Sequence, residues 1–460
     1  MDPMPPRSSE VVICGAGIAG VSAAYHLAVR HGVRGVVLVD GGAPLSLTSD
    51  KSTEAYRNWW PGPDDAMVRL MNRSIDLLEE LAVASDDRFL LTRRGYVWAT
   101  ADPVRADAYR SSGAVASAQG AGELRIHTGR NSDPDYQPWT AEGWQGQPDG
   151  ADLIFDDVLR RQLFPYLADD VEAILHTRRC GWISGQQYGM ELLERARAAG
   201  VELLEGTVEA IDTVGGRVTG VVVAQRGVRR TYPTGRVVVA AGPHLQRVAG
   251  LLGLELPVFS ERHLKVSFED TLGVVPRDAP LLIWEDAQHL AWTDEEREVL
   301  AASDDTRWLT EEMPPGVHLR PEGRRHVLIL WPYDAASEPE VFPVPVPDEY
   351  AEVCLRGMAR LLPGLARYFE HLPQPYVDGG YYTKTEENRP LAGPLPIEGA
   401  FVHGALSGFG LMASSATAEL VALHVTGGRL PDYAPAFTLS RYEDPAYMAR
   451  LRDWGSRGQL

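Results

Sequence analysis

Gly15-Ala16-Gly17-Ile18-Ala19-Gly20 follows the β-branched run Val11-Val12-Ile13-Cys14 and precedes an alanine-rich, helix-compatible stretch from Val21 to Val29. Glycines at this spacing can hold a pyrophosphate. Gly15 permits a tight turn, Gly17 lets the backbone approach phosphate oxygens, and Gly20 lets the helix pack close to the strand. The helix start at Ile18 and Ala19 would offer N–H groups and partial positive charge to the phosphates. A second apolar run, Val36-Val37-Leu38-Val39, ends in Asp40, twenty residues after Gly20. A carboxylate placed there accepts hydrogen bonds from ribose hydroxyls. The pattern predicts dinucleotide binding. The competing reading, a glycine turn in a purely structural layer, has no need of the acid at Asp40.

Two distant segments carry groups suited to the rest of such a ligand. Ser46 to Gly62 is polar and irregular, too long for an idle connection, and contains Ser49, Lys51, Ser52, Thr53 and Arg57. Near the other end, Gly404 to Met412 reads as a glycine-rich turn leading into a helix from about Ala413. Gly408 and Gly410 let backbone lie against a flat ring, and the helix directs its positive end there. The alternative is a glycine turn that caps an ordinary helix. One fingerprint at the N-terminus with a distant C-terminal completion points to FAD more than to NAD.

The elements that must position these groups follow from hydrophobic pattern. Continuous apolar strands such as Val36 to Val39 and Val237 to Ala241 belong to a parallel sheet covered on both faces. Met67, Leu70, Met71, Leu77, Leu78 and Leu81 mark the core face of a helix. Helix around Glu191 to Ala199 and strands at Val201–Leu204, Val208–Ile211 and Val218–Ala224 continue the alternation. From Pro257 to Pro347 the pattern changes to β-like pieces, Leu264 to Phe268 and Val327 to Trp331, without helical crossovers, which predicts an antiparallel sheet. Thr293-Asp294-Glu295-Glu296 has the spacing of a capping box. Residues 132–150, rich in breakers and acids, read as a surface insertion.

With 460 residues, 44% apolar and 23% charged, the chain can bury more than one core and is neither disordered nor of low complexity. Net charge is −19, and the arginine doublets are scattered, which disfavours nucleic acid or an anionic membrane as partner. Much of the acid falls in Asp133 to Asp157 and Glu285 to Glu312, outside the cofactor segments, so a locally basic site is expected. Cys14, Cys180 and Cys354 are far apart and form no C-x-x-C pair; no disulfide framework and no metal site are expected. Met1 to Glu10, with three prolines and two acids, reads as neither signal peptide nor membrane span. Cytoplasmic residence is the expectation.

In four segments the chain resembles the D-amino-acid oxidase superfamily of FAD oxidoreductases, which includes glycine oxidase, sarcosine oxidase and dimethylglycine dehydrogenase. These are the N-terminal fingerprint; the loop from Ser49 to Arg57; Gly200 to Ile211 with Val208, then Val237 to Gly242 with its Ala240-Ala241-Gly242 turn; and Gly379-Gly380-Tyr381-Tyr382-Thr383-Lys384-Thr385 through Gly408-Phe409-Gly410-Leu411-Met412. The resemblance implies an α/β (α+β overall) fold: a Rossmann-like FAD-binding domain interleaved with an antiparallel-sheet substrate domain. Residues 8–95, 155–255 and 375–430 would form the first, residues 96–154 and 256–374 the second, and 431–460 a C-terminal extension. It further implies hydride transfer from a C–N bond of an amine or amino acid to flavin N5, followed by imine hydrolysis. Oxidation of a hydroxy acid or alcohol is the runner-up, and a non-catalytic nucleotide-binding protein the remote alternative. No G-D-x-x-H-type motif of aromatic monooxygenases follows Gly379.

Site residues follow from the same resemblance. Arg57 stands where sarcosine oxidases hold the substrate carboxylate, with a structural surface arginine as the competing reading. Tyr381, Tyr382 and His263 are further substrate-positioning candidates; Lys265 could also face the flavin, and Trp59 and Trp60 could wall a pocket. Met412 replaces a lysine ligand of the family, which argues for a substrate larger than sarcosine. Glu54 and Gly380 fall where relatives carry a histidine or cysteine tether, so FAD is expected to be non-covalent. Ile329 falls near the lysine that assists oxygen, which leaves O2 or another acceptor open. A small-molecule substrate and a monomer or homodimer complete the expectation.

Overall fold

The computed structural model describes residues 9–452. Met1 to Ser8 and the end of the expected C-terminal extension, residues 453–460, lie outside the described residues.

Six strands form the nucleotide sheet in the order Leu391–Pro394, Ala400–Gly404, Val237–Val239, Val11–Cys14, Val36–Asp40, Glu202–Glu205. All neighbouring pairs run parallel except that of the edge strand Leu391–Pro394. The central valines are fully buried, which requires cover on both faces. Helices Ile18–Tyr25, Ala66–Ala84, Gly185–Ala198 and Gly410–Thr426 contribute to the core on one face. On the other, an antiparallel meander of Thr207–Val214, Arg217–Gln225 and Val228–Pro233 packs Val208, Val221, Val223 and Tyr232 against Val12, Val37 and Val39. The expected helix from Val21 to Val29 changes from α to π at His26.

A second sheet has nine strands, ordered Tyr376–Lys384, Phe259–Glu269, His326–Leu330, Val317–Glu322, Leu281–Trp284, Tyr96–Thr100, Ala173–Thr177, Ala151–Ile154, Leu124–His127. Helix Tyr350–Ala359 covers one face through Val353, Leu355 and Met358. Two details differ from the sequence reading. The sheet is mixed, because Leu281–Trp284 pairs parallel with Tyr96–Thr100 and Leu124–His127 parallel with Ala151–Ile154. Strands 173–177 and 376–384 also belong to it, so the expected boundaries at 155 and 375 cut through one hydrogen-bonded sheet. Neither strand has a residue pattern that names its sheet; only long-range pairing assigns them.

The capping box forms: Thr293 Oγ1 accepts from Glu296 N at 3.1 Å while Glu296 Oε2 accepts from Thr293 N at 2.8 Å. The 132–150 segment has no regular structure but is anchored. Trp139 stacks on Phe164, and Tyr136 hydrogen-bonds His176 at 2.8 Å. Among the described residues no helix is long and apolar enough to cross a membrane.

Three buried histidines carry a pH prediction. Burial, joined at His176 by the Arg178 guanidinium, pulls His176 down to about 3; burial likewise brings His318 and His403 down to about 4. The unfolded chain takes up these protons near pH 6.5. Stability is therefore present above about 6.5 and is lost as pH falls towards 4. Between pH 7 and 5 each ring should cost about 1–2 kcal/mol, read as a falling thermal midpoint. A flat profile over that interval would refute the assignment.

Candidate active site

A cavity of about 400 Å³ opens at the carboxyl ends of the parallel strands. Gly15 makes its turn at φ +113°, and a Cβ there would stand 2.4 Å from Ala240 O. A Cβ on Gly20 would meet Gly15 O at 1.7 Å, so helix and turn are in backbone contact. Asp40 Oδ2 accepts from Ala16 N at 2.6 Å and Oδ1 from Gly42 N at 2.8 Å, which fixes the carboxylate at the cavity lip. Ser49 Oγ accepts from Ile18 N at 2.9 Å and ties the loop to the helix start.

Gly15, Gly17, Ile18, Ala19 and Asp40 line this cavity, together with Ser49, Ser52, Val208, Ala241 and Gly242. Tyr381, Tyr382, Gly408, Gly410 and Leu411 close its other end. Both helices that begin here, Ile18–Tyr25 and Gly410–Thr426, get no cap from their own N-cap residues, Gly17 and Phe409, and have no acid in the first turn. Their N-terminal partial charges converge on one elongated space. A cofactor with a pyrophosphate near one helix and an electron-accepting ring near the other fits these residues, and FAD is such a cofactor. Thr207 and Arg247, which sequence reasoning missed, also line the space, as do Thr48, His244 and the Gly404–Ser407 turn, which lie in or beside segments the sequence had marked without being named as site residues. Ala405 and Ser407 there have φ of +51° and +49°, a strain with no signature in residue type.

A second cavity of about 260 Å³ surrounds Arg57. Strand Ala55–Arg57 pairs with Cys180–Trp182 and carries the guanidinium inward, leaving Arg57 4% exposed. Burial therefore removes the surface-arginine reading, and it also pushes the Arg57 pKa down. The guanidinium carbon sits 4.2 Å from the Trp60 ring and 5.1 Å from the Trp98 ring. Trp60 in turn meets Phe409 edge-on at 5.1 Å. Arg57 is thus one aromatic layer from the Gly408–Gly410 turn. Trp59 and Trp60 do wall a pocket, as expected.

Several candidates point elsewhere. Lys51 does not line the large cavity; its Nζ turns to Asp378 at 2.6 Å, the stronger partner for an ammonium. Thr53 is buried behind the loop with its carbonyl accepting from Arg320 Nε at 2.6 Å. His263 lines neither cavity: it stacks on Tyr382 at 4.2 Å and its Nε2 lies 3.2 Å from Glu261. It positions Tyr382, whose hydroxyl donates to Lys51 O at 3.3 Å. Tyr381 packs on Phe342 and its hydroxyl accepts from Val341 N at 3.0 Å. Gly20, Gly380, Phe409 and Met412 support the cavity from behind rather than line it. A Cβ on Gly380 would press on Thr48 Cα at 3.2 Å, which explains glycine there. Lys265 does face the loop, donating to Asp50 O and Ser52 O. Glu285 corrects the charge expectation, because it lines the Arg57 cavity instead of decorating the surface. Among the described residues no cluster of three or more His, Cys, Asp or Glu side chains could hold a metal ion.

Comparison with known proteins matches this architecture. The family described as DAO, FAD dependent oxidoreductase, matches residues 10–423. Sarcosine oxidase subunit beta of an Arthrobacter species is 24% identical over 264 residues, 56% of this chain. The match spans 57% of that relative's length. Among solved structures, L-proline dehydrogenase from P. horikoshii superposes with a TM-score of 0.71 at 18% identity, covering 95% of this chain and 98% of that one. Glycine oxidase from Geobacillus kaustophilus gives 0.70 at 20% identity, covering 94% and 98%. At these identities the two structures bear on the fold alone.

Proposed function

The chain belongs to the DAO family of FAD-dependent oxidoreductases, and from that premise we propose that it oxidises the C–N bond of a carboxylated amine, including N-substituted amino acids. The observation that carries this reading is Arg57, a buried guanidinium held between two tryptophans beside the Phe409 turn. A buried cation of fixed geometry suits a carboxylate, which accepts two parallel N–H bonds from it. The relatives support the class, since their names specify sarcosine, proline and glycine, each a carboxylated amine.

Bound FAD supplies the two-electron acceptor. Asp40 and the two helix starts would hold its polar groups, and Tyr382, Ser52 and the Ala405–Gly408 turn would shape the end next to Arg57. Trp60 and Trp98 keep the guanidinium in place and exclude water, which strengthens its hold on a carboxylate. The chain's task is orientation of the reacting C–H. Loss of two electrons and two protons from the C–N unit gives an imine, which water splits into a carbonyl compound and an amine. No histidine or cysteine stands at Glu54 or Gly380 to tether the cofactor, so acid precipitation should release the yellow colour. Colour retained on the precipitate would refute that point.

The test is anaerobic bleaching of bound flavin by a panel of amines, N-methyl amino acids and hydroxy acids. Carboxylated amines should bleach it. Bleaching by hydroxy acids alone would replace C–N with C–O oxidation.

A further inference from the structure

The Arg57 cavity contains a second charged group with capacity to spare. Three carboxylates line it: Asp64, Glu285 and Glu387. Asp64 is engaged by Arg389, and Glu387 is bound by Arg441, Tyr442 and Tyr447. Glu285 differs. Its side chain is 18% exposed, and among the described residues its carboxylate accepts no hydrogen bond. Its ion-pair partner, Arg105, stands 3.9 Å away and lies closer to Asp286 at 3.2 Å. Burial pushes the Glu285 carboxyl up, while Arg105 and Arg57 pull it back.

The surroundings also suit a charged organic group. Tyr109 and Trp59 line the same cavity, and the Tyr109 hydroxyl and Trp59 indole N–H find no partner among the described residues. Tyr109 is near enough to Glu285 for the carboxylate to help raise the phenol's pKa, after burial. A cation beside aromatic walls and a carboxylate gains from both. At about 260 Å³ the cavity approaches the lower range of small-ligand pockets, roughly 300 Å³ and above. That is generous for an amine without a side chain.

We propose that the substrate carries a second positive charge: a carboxylated amine whose side chain ends in an ammonium or guanidinium, with its carboxylate on Arg57 and its distal cation on Glu285. This rests on the reading of Arg57 as the carboxylate anchor of an amine substrate. Glu285 is then the specificity determinant, because a neutral side chain of equal length leaves its carboxylate desolvated with only the long Arg105 contact.

The experiment compares charged side chains with neutral ones of similar size on the FAD-loaded enzyme, using both enantiomers of lysine against norleucine, which lacks the terminal nitrogen, and of arginine against citrulline. For the accepted enantiomer, kcat/KM should favour the charged member by about tenfold or more. In Glu285→Gln that ratio should fall towards one. Binding is read without turnover from the perturbation of the flavin spectrum by hexanoate and 6-aminohexanoate. The wild-type enzyme should bind the second more tightly, an expectation that needs no variant to fold. Norleucine used as well as lysine, or Glu285→Gln lowering both equally, overturns the inference while leaving C–N oxidation in place. Bleaching by hydroxy acids alone overturns both.

Discussion

Valine at position 15 is expected to yield a protein that carries no flavin. Two costs coincide there. The φ of +113° is a region that side chains with a branched Cβ do not adopt, worth about 1–3 kcal/mol of strain even for small residues. The added Cβ would also lie 2.4 Å from Ala240 O and 2.9 Å from Ala241 Cα, both backbone atoms. Neither side can yield. Ala240 N donates to Cys14 O at 2.9 Å, Gly15 N donates to Val39 O at 2.8 Å, and Ile13 pairs with Val238 in the sheet. The turn must therefore move, and with it the Ala16 N–H that holds Asp40. Flavin absorbance relative to protein absorbance after purification checks this, as does the thermal midpoint with and without added FAD. Gly32→Ala is the control, since Gly32 also has positive φ, +66°, but open space around it. It should keep its flavin. A flavin-loaded Gly15→Val protein would mean that the turn tolerates displacement and does not set the cofactor site.

The contrast between Gly15 and Glu285 explains what the sequence made legible. The fingerprint is local: Gly15, Gly17, Gly20 and Asp40 act through backbone geometry within one βαβ unit, so their spacing carries their role. The same holds for the Thr293 capping box and the valine runs of the parallel sheet. The Arg57 cavity has no such locality. Arg57, Trp98, Tyr109 and Glu285 come from the cofactor loop, strand Tyr96–Thr100, helix Pro103–Ala116 and the residue just after strand Leu281–Trp284, and only tertiary packing brings them together. Glu285 looked like part of an acidic surface run because its neighbours Asp286, Glu295 and Glu296 belong to one. Lys51, Thr53 and His263 were read from their place along the chain, but each is held by a partner distant in sequence or across a strand: the Lys51 ammonium by Asp378, the Thr53 carbonyl by Arg320 and the His263 ring by Tyr382. Sheet membership of 173–177 and 376–384 failed for the same reason, since a strand's own residues carry no label for the sheet that receives it.

Loss of the guanidinium in Arg57→Ala should leave a flavin-loaded enzyme that handles carboxylated amines poorly. Arg57 does not line the FAD cavity, so flavin content is the first check and should be retained. Truncating one partner of a buried, hydrogen-bonded charge pair costs about 2–5 kcal/mol, or roughly 30- to several-thousand-fold in kcat/KM. Part of that is positional. Without the guanidinium, the Trp60 and Trp98 rings lose the group packed against both, and Trp60 is what joins the cavity to Phe409. Arg57→Lys separates charge from geometry: it keeps a cation but loses the planar fork, so an intermediate loss is expected. The corresponding decarboxylated amine supplies the decisive comparison. It has no anion to place, so its kcat/KM should fall much less in Arg57→Ala than that of the carboxylated parent. An equal fall for both would make Arg57 a packing residue of the aromatic layer, and an unchanged KM for the carboxylated substrate would remove it as the anchor. If the selective loss is found, the chain recognises its substrate through a cation that the fold has already desolvated, so the substrate carboxylate meets it without displacing bulk water.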